Sequence, residues 1–211
     1  MLFQPGSYGS AGESLPDYFK EWDLTPEEIN EIIAENPPVL STLFGYVAEY
    51  KLKKIWLSRS GITDVSRPRA HDRKKKGDFQ FKYRGHIFTI EVKSLDAPKV
   101  RRVGEGFVGT FQCNASDSRE VTLPNGDKVT TNCLVVGEFD VLAVNLFAFR
   151  REWCFAFAKN RDLPRSTWYK YTPEQQKYLL KSSMKITWPL EPPFTDDLFK
   201  LLDELIQERD G

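Results

Sequence analysis

The chain has few of the residues that build disulfide frameworks and zinc sites. It contains three cysteines (Cys113, Cys133 and Cys154) and two histidines in 211 residues. An odd number of widely spaced cysteines without a CxxC pair argues against both kinds of site. No apolar stretch is long enough to span a bilayer, since the longest covers only residues 141–149. The N-terminal sequence MLFQPGSYGSAGES has no basic segment followed by an apolar one. We therefore expect a cytoplasmic, reduced protein without a membrane segment.

The charge is balanced overall but unevenly distributed along the chain. The 30 basic and 30 acidic side chains cancel, yet residues 67–102 hold 12 basic and only 4 acidic ones. Such asymmetry indicates an anionic partner that meets one face of the protein. A solvated basic loop is the alternative interpretation of the same segment.

The order of the hydrophobic patterns predicts an α+β protein. Two helices come first: one follows the N-cap Thr25, and a second, from about Pro38 to Ser58, carries Glu49. Several strands follow, among them a hairpin around Asn125–Gly126 and a buried central strand in FDVLAVNLFAF. Two helical patterns close the chain. We predict one domain over 1–211, of the α/β/α type, with a helical part at 14–60, a mixed sheet at 62–160 and C-terminal helices at 172–209.

The segment GDFQFKYRGHIFTIEVKS, residues 77–94, predicts an amphipathic hairpin with a turn at Arg84–Gly85. With a turn of two or four residues, Asp78 lies opposite Glu91, with their Cβ atoms about 5 Å apart and Lys93 on the diagonal. An odd-numbered turn would move Asp78 to the other face. Two facing carboxylates repel, and a divalent cation such as Mg²⁺ would relieve that repulsion. The alternative is a hairpin whose charges are simply solvated.

These residues resemble a known family. The GD at 77–78 and the IEVKS at 90–94 look like the motif of the PD-(D/E)xK nuclease superfamily, as found in bacterial type II restriction endonucleases. Glu49, in GYVAEYKLKKIWL, matches the additional acidic residue of many members, and FDVLAVNLF with FAFAKNRDLPRS resembles the strands that follow. The resemblance covers about residues 40–165. Gly77 stands where the motif has proline.

The resemblance implies a restriction-endonuclease-like fold and a metal-dependent DNA endonuclease that hydrolyses phosphodiester bonds, often as a homodimer. It implies Mg²⁺, with Mn²⁺ as a substitute, held by Asp78, Glu91, the Val92 carbonyl and Glu49. Lys93 would orient or help deprotonate the attacking water, or stabilise developing negative charge. The implied catalytic residues are Asp78, Glu91, Lys93 and Glu49.

Double-stranded DNA is the expected partner, and two groups of residues are predicted to bind it. Basic side chains would contact phosphates without reading sequence; these are Arg67, Arg69, Arg73, Lys74, Lys75, Lys76, Lys99, Arg101 and Arg102. Polar side chains in FQCNASDSRE would read base edges; these are Gln112, Asn114, Ser116 and Arg119. Gln112 has the alternative role of lining the active site.

Two other functions remain open at this point. The first is a repair, recombination or transposon-associated nuclease that uses the same site. The second is a non-catalytic nucleic-acid-binding or assembly protein that has the same fold but does not hydrolyse phosphodiesters. Three tryptophans, Trp153, Trp168 and Trp188, have side chains that can stack on bases. Ordinary packing is the favoured role for each.

Overall fold

The computed structural model describes residues 16–68 and 77–211. The chain forms two compact units, one ending at Phe44 and the other running from Gly45 to Gly211. The predicted single domain over 1–211 and its internal boundaries stay a prediction. Five of the predicted phosphate contacts lie outside the described residues: Arg69, Arg73, Lys74, Lys75 and Lys76.

The N-terminal helices follow their capping signals. Helix α1 spans Tyr18–Glu21 and α2 spans Pro26–Glu35, where Thr25 and Glu28 form the predicted capping box. Helix α3 spans Pro37–Leu52 and continues into a π-helical turn at Lys53–Leu57. The second predicted helix therefore begins and ends within one or two residues of the expected positions.

Ten strands and three further α-helices follow within the described residues. In chain order the elements are β1 (Ile62–Ser66), β2 (Phe79–Tyr83), β3 (His86–Ser94), β4 (Arg101–Val103), β5 (Gly106–Gln112), β6 (Asn114–Thr122), β7 (Lys128–Cys133), β8 (Val141–Asn145), α4 (Phe147–Arg150), β9 (Phe155–Lys159), α5 (Pro173–Gln176), β10 (Ser183–Trp188) and α6 (Leu198–Asp210). The protein is mixed α+β, with a mixed sheet flanked by helices. Among the residues that the structure describes, no helix is both long and apolar enough to cross a membrane.

The main sheet has five strands in the order β1-β2-β3-β8-β9. All its neighbours are antiparallel except β3 and β8, which run parallel. A parallel pair needs a long crossover, and strands β4 to β7 supply it here. Every residue of β8 is buried, as the continuous apolar run predicts for a central strand. The expected hairpin at Asn125–Gly126 is also present, between β6 and β7.

The two faces of the main sheet build separate parts of the core. On one face, Phe81, Phe88 and Phe157 pack with apolar residues of α3 and α6. On the other face, Leu142 and Val144 pack with residues of α4, β5 and β10. The predicted hairpin of residues 77–94 is thus anchored by its aromatic face.

The C-terminal third departs from the predicted pair of helices. Helix α5 has only four residues, although its Thr172 capping box forms as expected. Strand β10, which the sequence patterns did not indicate, follows it and pairs with β5. The adjacent Leu179 and Leu180 are both fully buried and form bridges to different strands or loops. Neighbouring side chains of extended backbone point to opposite sides, so burial of both leucines means that the chain covers this segment on both sides.

Candidate metal centre

The hairpin has the register that an even-numbered turn predicts. Arg84 and Gly85 form a two-residue turn with φ of 47° and 81°, and Phe79 pairs with Ile90 while Tyr83 pairs with His86. Positive φ at both turn residues matches the right-handed twist of the strands. The aromatic residues of β2 are buried, and Glu91 and Lys93 lie on the opposite face of β3.

Asp78 reaches the site by a different route from the predicted one. The paired register ends at Phe79, and the Asp78 amide donates to the Ile90 carbonyl at 2.8 Å rather than pairing with Glu91. The Asp78 side chain accepts a hydrogen bond from the Val92 amide at 2.7 Å through Oδ2. Asp78 is therefore held against β3 by its side chain and lies just outside the regular ladder.

Gly77 makes this approach of the two backbones feasible. Its φ is 81°, and a Cβ at this position would lie 2.9 Å from the Ile90 carbonyl oxygen. Glycine tolerates both conditions because it has no side chain. The departure from the proline of the motif thus has a local structural reason.

Glu91 is the most strongly perturbed carboxyl of the site. Burial and, next, the nearby Asp78 carboxylate raise its pKa from 4.5 to about 7. Lys93 opposes this shift, with Nζ 2.7 Å from Glu91 Oε1. Burial also raises the pKa of Asp78, partly offset by the Val92 amide, Lys93 and Arg67. The two carboxylates are close enough to repel and share one lysine.

Lys93 stays positively charged in this setting. Burial alone would lower its pKa, but the carboxylates of Glu91 and Asp78 outweigh burial and raise the pKa above 10.5. The side chain is 20% exposed, so its charge is directed mainly toward these partners. A lysine in this state donates hydrogen bonds and does not accept a proton near neutral pH.

Glu49 does not join the carboxylate pair directly. It lies on α3 and forms an ion pair with Arg67, just after β1. The Arg67 guanidinium also lies 5.4 Å from the Tyr46 ring centroid and 5.5 Å from that of Phe79. Arg67 also lowers the pKa of Asp78, so its charge acts on both acids. Arg67 is thus engaged with protein carboxylates rather than presented freely to a phosphate.

The donor set fits a magnesium ion that keeps most of its waters. Within residues 16–68 and 77–211, no group of three or more His, Cys, Asp or Glu side chains is placed to hold a metal. Asp78 and Glu91 supply two carboxylates, and Mg²⁺ is commonly bound by one or two carboxylates plus water. The repulsion between them is the feature that a divalent cation would relieve. Predicted ligation by Glu49 would require it to leave Arg67.

Two neighbours of the site were not indicated by the sequence. Leu95 and Phe111 form an antiparallel bridge, which places Cys113 beside Lys93 when the register is extended. The buried Cys113 thiol has its pKa raised to about 12, so it stays neutral. Glu138 also lies near enough to raise the pKa of Glu91. Both contacts join segments far apart in sequence, and no local pattern reports them.

The predicted base-reading residues do not form one free surface. Arg119 is ion-paired with Glu138. Ser116 is exposed and donates to Asp117 at 3.3 Å, while Asn114 is half-buried and pairs with Cys133. Gln112 is exposed at the end of β5, one residue beyond the bridge at Phe111. Both predicted roles of Gln112, base contact and lining of the active site, stay predictions.

The described phosphate-contact candidates include two exposed arginines. Arg101 and Arg102 lie on β4 and are exposed, with Arg102 donating to the Gly104 carbonyl. Lys99 pairs with Asp96 at 2.7 Å. Of the described basic residues in this set, the β4 arginines are therefore the best placed to meet an anionic partner.

Comparison of the chain with known protein families, with curated protein sequences and with solved structures gave no match in any of the three. The resemblance to PD-(D/E)xK nucleases therefore rests on the motif and on the geometry of the hairpin.

Proposed function

We propose that the chain is a Mg²⁺-dependent DNA endonuclease with a restriction-endonuclease-like fold, of the type II restriction or a related bacterial defence class. One observation carries the proposal. Burial first, and the nearby Asp78 carboxylate second, raise the pKa of Glu91 to about 7, and Lys93 Nζ lies 2.7 Å from Glu91 Oε1. Such mutual repulsion is costly for folding alone and is typical of a functional site.

The reaction is hydrolysis of a phosphodiester. An oxygen of water forms a bond to phosphorus, the bond to the leaving oxygen breaks, and that oxygen takes up a proton. When bound, Mg²⁺ supplies Lewis-acid chemistry at a phosphoryl oxygen. Asp78 and Glu91, with the Val92 carbonyl, are the residues that would hold the ion.

Of the roles open to Lys93, stabilisation of negative charge has the strongest support. Its raised pKa keeps the ammonium protonated near neutral pH. A fixed positive charge close to the reacting phosphate lowers the energy of a transition state whose oxygens gain negative charge. A general base would instead need a pKa near the working pH.

Double-stranded DNA remains the proposed partner, with Arg101 and Arg102 among the phosphate contacts. Their exposure on β4 and the excess of basic residues over 67–102 support this choice. A homodimer, in which each subunit cuts one strand, would deliver a double-strand break.

Plasmid digestion tests the proposal directly. Wild-type protein is expected to nick or linearise supercoiled DNA with Mg²⁺ or Mn²⁺ and to leave it intact in EDTA. Asp78→Ala is expected to abolish cutting, because it removes one of the two carboxylates. A wild-type protein that cuts no DNA under any of these conditions would refute the nuclease assignment.

A non-catalytic nucleic-acid-binding protein is the second candidate. The exposed Arg101 and Arg102 on β4 support it, because they can contact phosphates without any metal. Such a binder would show DNA affinity that is indifferent to Mg²⁺ and to Glu91→Gln. Calorimetric titration of DNA in Mg²⁺ and in EDTA separates the two functions, since the nuclease should bind more tightly with the cation present.

A further inference from the structure

A cavity in the second unit lies close to the candidate metal centre. It has a volume of about 470 Å³, within the range of small-ligand sites. Strands β7 and β10 and the loop between β9 and α5 form its walls. Each segment contributes lining residues, among them Asn132 from β7, Ser183 from β10 and Trp168 from the loop.

Strand geometry sets the distance from this cavity to Lys93. The bridge between Leu95 and Phe111 places β5 beside the end of β3, and Gln112 pairs with Ser183 on β10. Neighbouring strands are about 4.8 Å apart, so the Ser183 wall is about two spacings, or roughly 10 Å, from the Lys93 backbone. The Cys113 amide also donates to the Ser182 carbonyl at 2.6 Å, which ties the two regions together.

An exposed aromatic platform lies at the rim. Trp168 is 46% exposed and the adjacent Tyr169 is 82% exposed. The indole is held in a T-shaped contact with Tyr171, with ring centroids 5.0 Å apart. Tyr171 is in turn hydrogen-bonded to buried Thr131 at 2.6 Å. A large apolar side chain that is fixed and yet half-exposed is suited to stacking against a ligand ring.

The polar side chains that line the cavity favour a ligand that carries negative charge and hydrogen-bonding groups. None of its described lining residues is acidic, and Lys181 lines it. The Lys170 ammonium lies 5.0 Å from the Trp168 ring centroid. Asn132, Ser182 and Ser183 place an amide and two hydroxyls in the wall. A flat ring that carries polar edges and an attached phosphate matches this combination.

We propose that this cavity binds one unpaired nucleotide of a nucleic-acid strand, the base together with its phosphate. The adjacent phosphate of the same strand lies at Lys93. The base stacks on Trp168, its edge meets Asn132 and the serine hydroxyls, and its phosphate meets Lys181. This inference rests on the proposed nuclease function, which it deepens by assigning an extrahelical or single-stranded nucleotide to the substrate.

Binding of fluorescent oligodeoxynucleotides in EDTA tests the cavity without any cleavage. Two probes of equal length are compared, one bearing bases and one made only of abasic sites, because the second retains the phosphates alone. Trp168→Ala is expected to weaken binding of the base-bearing probe roughly 5- to 150-fold, the range equivalent to about 1–3 kcal/mol per stacked base. Binding of the abasic probe should be unchanged.

Matched variants separate stacking from general damage. Trp168→Phe keeps an aromatic ring and should retain most of the affinity. Trp22→Ala removes a tryptophan of similar exposure, 49%, from the other compact unit and should bind as wild type. Lys181→Gln should weaken the base-bearing and abasic probes equally, because it removes only a phosphate contact.

Three outcomes would overturn the inference: equal loss of both probes in Trp168→Ala, no loss of either, or tight binding of a free deoxynucleotide with none of the oligonucleotide. The result is independent of cleavage. If Trp168→Ala weakens only the base-bearing probe and the wild-type protein never cuts plasmid, the nucleotide pocket is supported and the nuclease function is refuted. If the wild-type protein cuts plasmid but shows no Trp168-dependent preference for bases, only the pocket is refuted.

Discussion

Glu91 combines three conditions that rarely suit a carboxylate. It is largely buried, it lies near the Asp78 carboxylate, and among the described residues the cation that lowers its pKa is Lys93, which also lowers the pKa of Asp78. The alternation of the hairpin was sufficient to predict that Glu91 and Lys93 share a face away from the aromatic residues. It could not predict Cys113 beside Lys93, since that contact depends on a bridge between Leu95 and Phe111.

At the residue scale, we predict that stability in EDTA falls as pH rises from about 4.5 to about 7. The pKa of Glu91 is about 7 in the folded state and ordinarily 4.5, so the folded protein holds a proton that the unfolded chain has released across this window. Glu91→Gln should flatten this part of the curve. Urea unfolding at several pH values measures it.

The matched control for this prediction is Glu31→Gln, which changes an exposed glutamate of α2 and should keep the wild-type slope. Mg²⁺ at pH 8 should stabilise the wild type and the control more than Glu91→Gln. Identical pH slopes in all three proteins would show that the Glu91 carboxyl is not perturbed.

At the scale of elements, the sequence was sufficient to predict the helices, turns and strands that carry a strong local pattern, such as a capping box, turn residues or a continuous apolar run. The capping box of α2, the turn at Arg84–Gly85 and the buried strand β8 all form as expected. Strand β10 was missed because its partner is β5, more than 70 residues away along the chain. Asp78 was predicted in the ladder but lies just outside it, because Gly77 adopts a positive φ that no alternation pattern reports.

Gly77→Ala tests the backbone that positions Asp78. A Cβ would lie 2.9 Å from the Ile90 carbonyl oxygen at a φ of 81°. We expect a loss of about 1–3 kcal/mol in the free energy of unfolding and a fall in cleavage rate of about tenfold or more, because small displacements at a reacting centre are costly. Urea denaturation and plasmid cleavage measure the two effects.

Gly126→Ala is the control for Gly77→Ala. Gly126 has a similar φ of 89° but no atom within 4 Å of its Cβ position. It should lose some stability and keep the wild-type cleavage rate per folded molecule. Equal effects of the two substitutions on cleavage would mean that the position of Asp78 does not depend on Gly77.

For the whole molecule, the uneven charge distribution matters more than the net charge of zero. Residues 67–102 hold most of the positive excess, and Arg101 and Arg102 present part of it on the exposed strand β4. Sequence composition is enough to predict this asymmetry. It does not predict that Arg67 and Arg119 are ion-paired with glutamates of the same chain.

We therefore predict that DNA affinity falls steeply as salt rises from about 50 to 200 mM. Arg101→Gln and Arg102→Gln should each reduce the slope of log affinity against log salt by about one. Fluorescence anisotropy with a duplex in EDTA gives these slopes. An affinity that does not change with salt would contradict phosphate binding by this part of the chain.

We propose above all that Asp78 and Glu91 would hold a divalent cation, which would promote attack of water on a DNA phosphodiester. The most direct test of this proposal is the initial rate of supercoiled-plasmid cleavage in Mg²⁺ by wild type, Glu91→Gln and Glu31→Gln. The account predicts equal rates for wild type and Glu31→Gln and no detectable cleavage by Glu91→Gln at equal folded concentration. Cleavage by Glu91→Gln at the wild-type rate would contradict it.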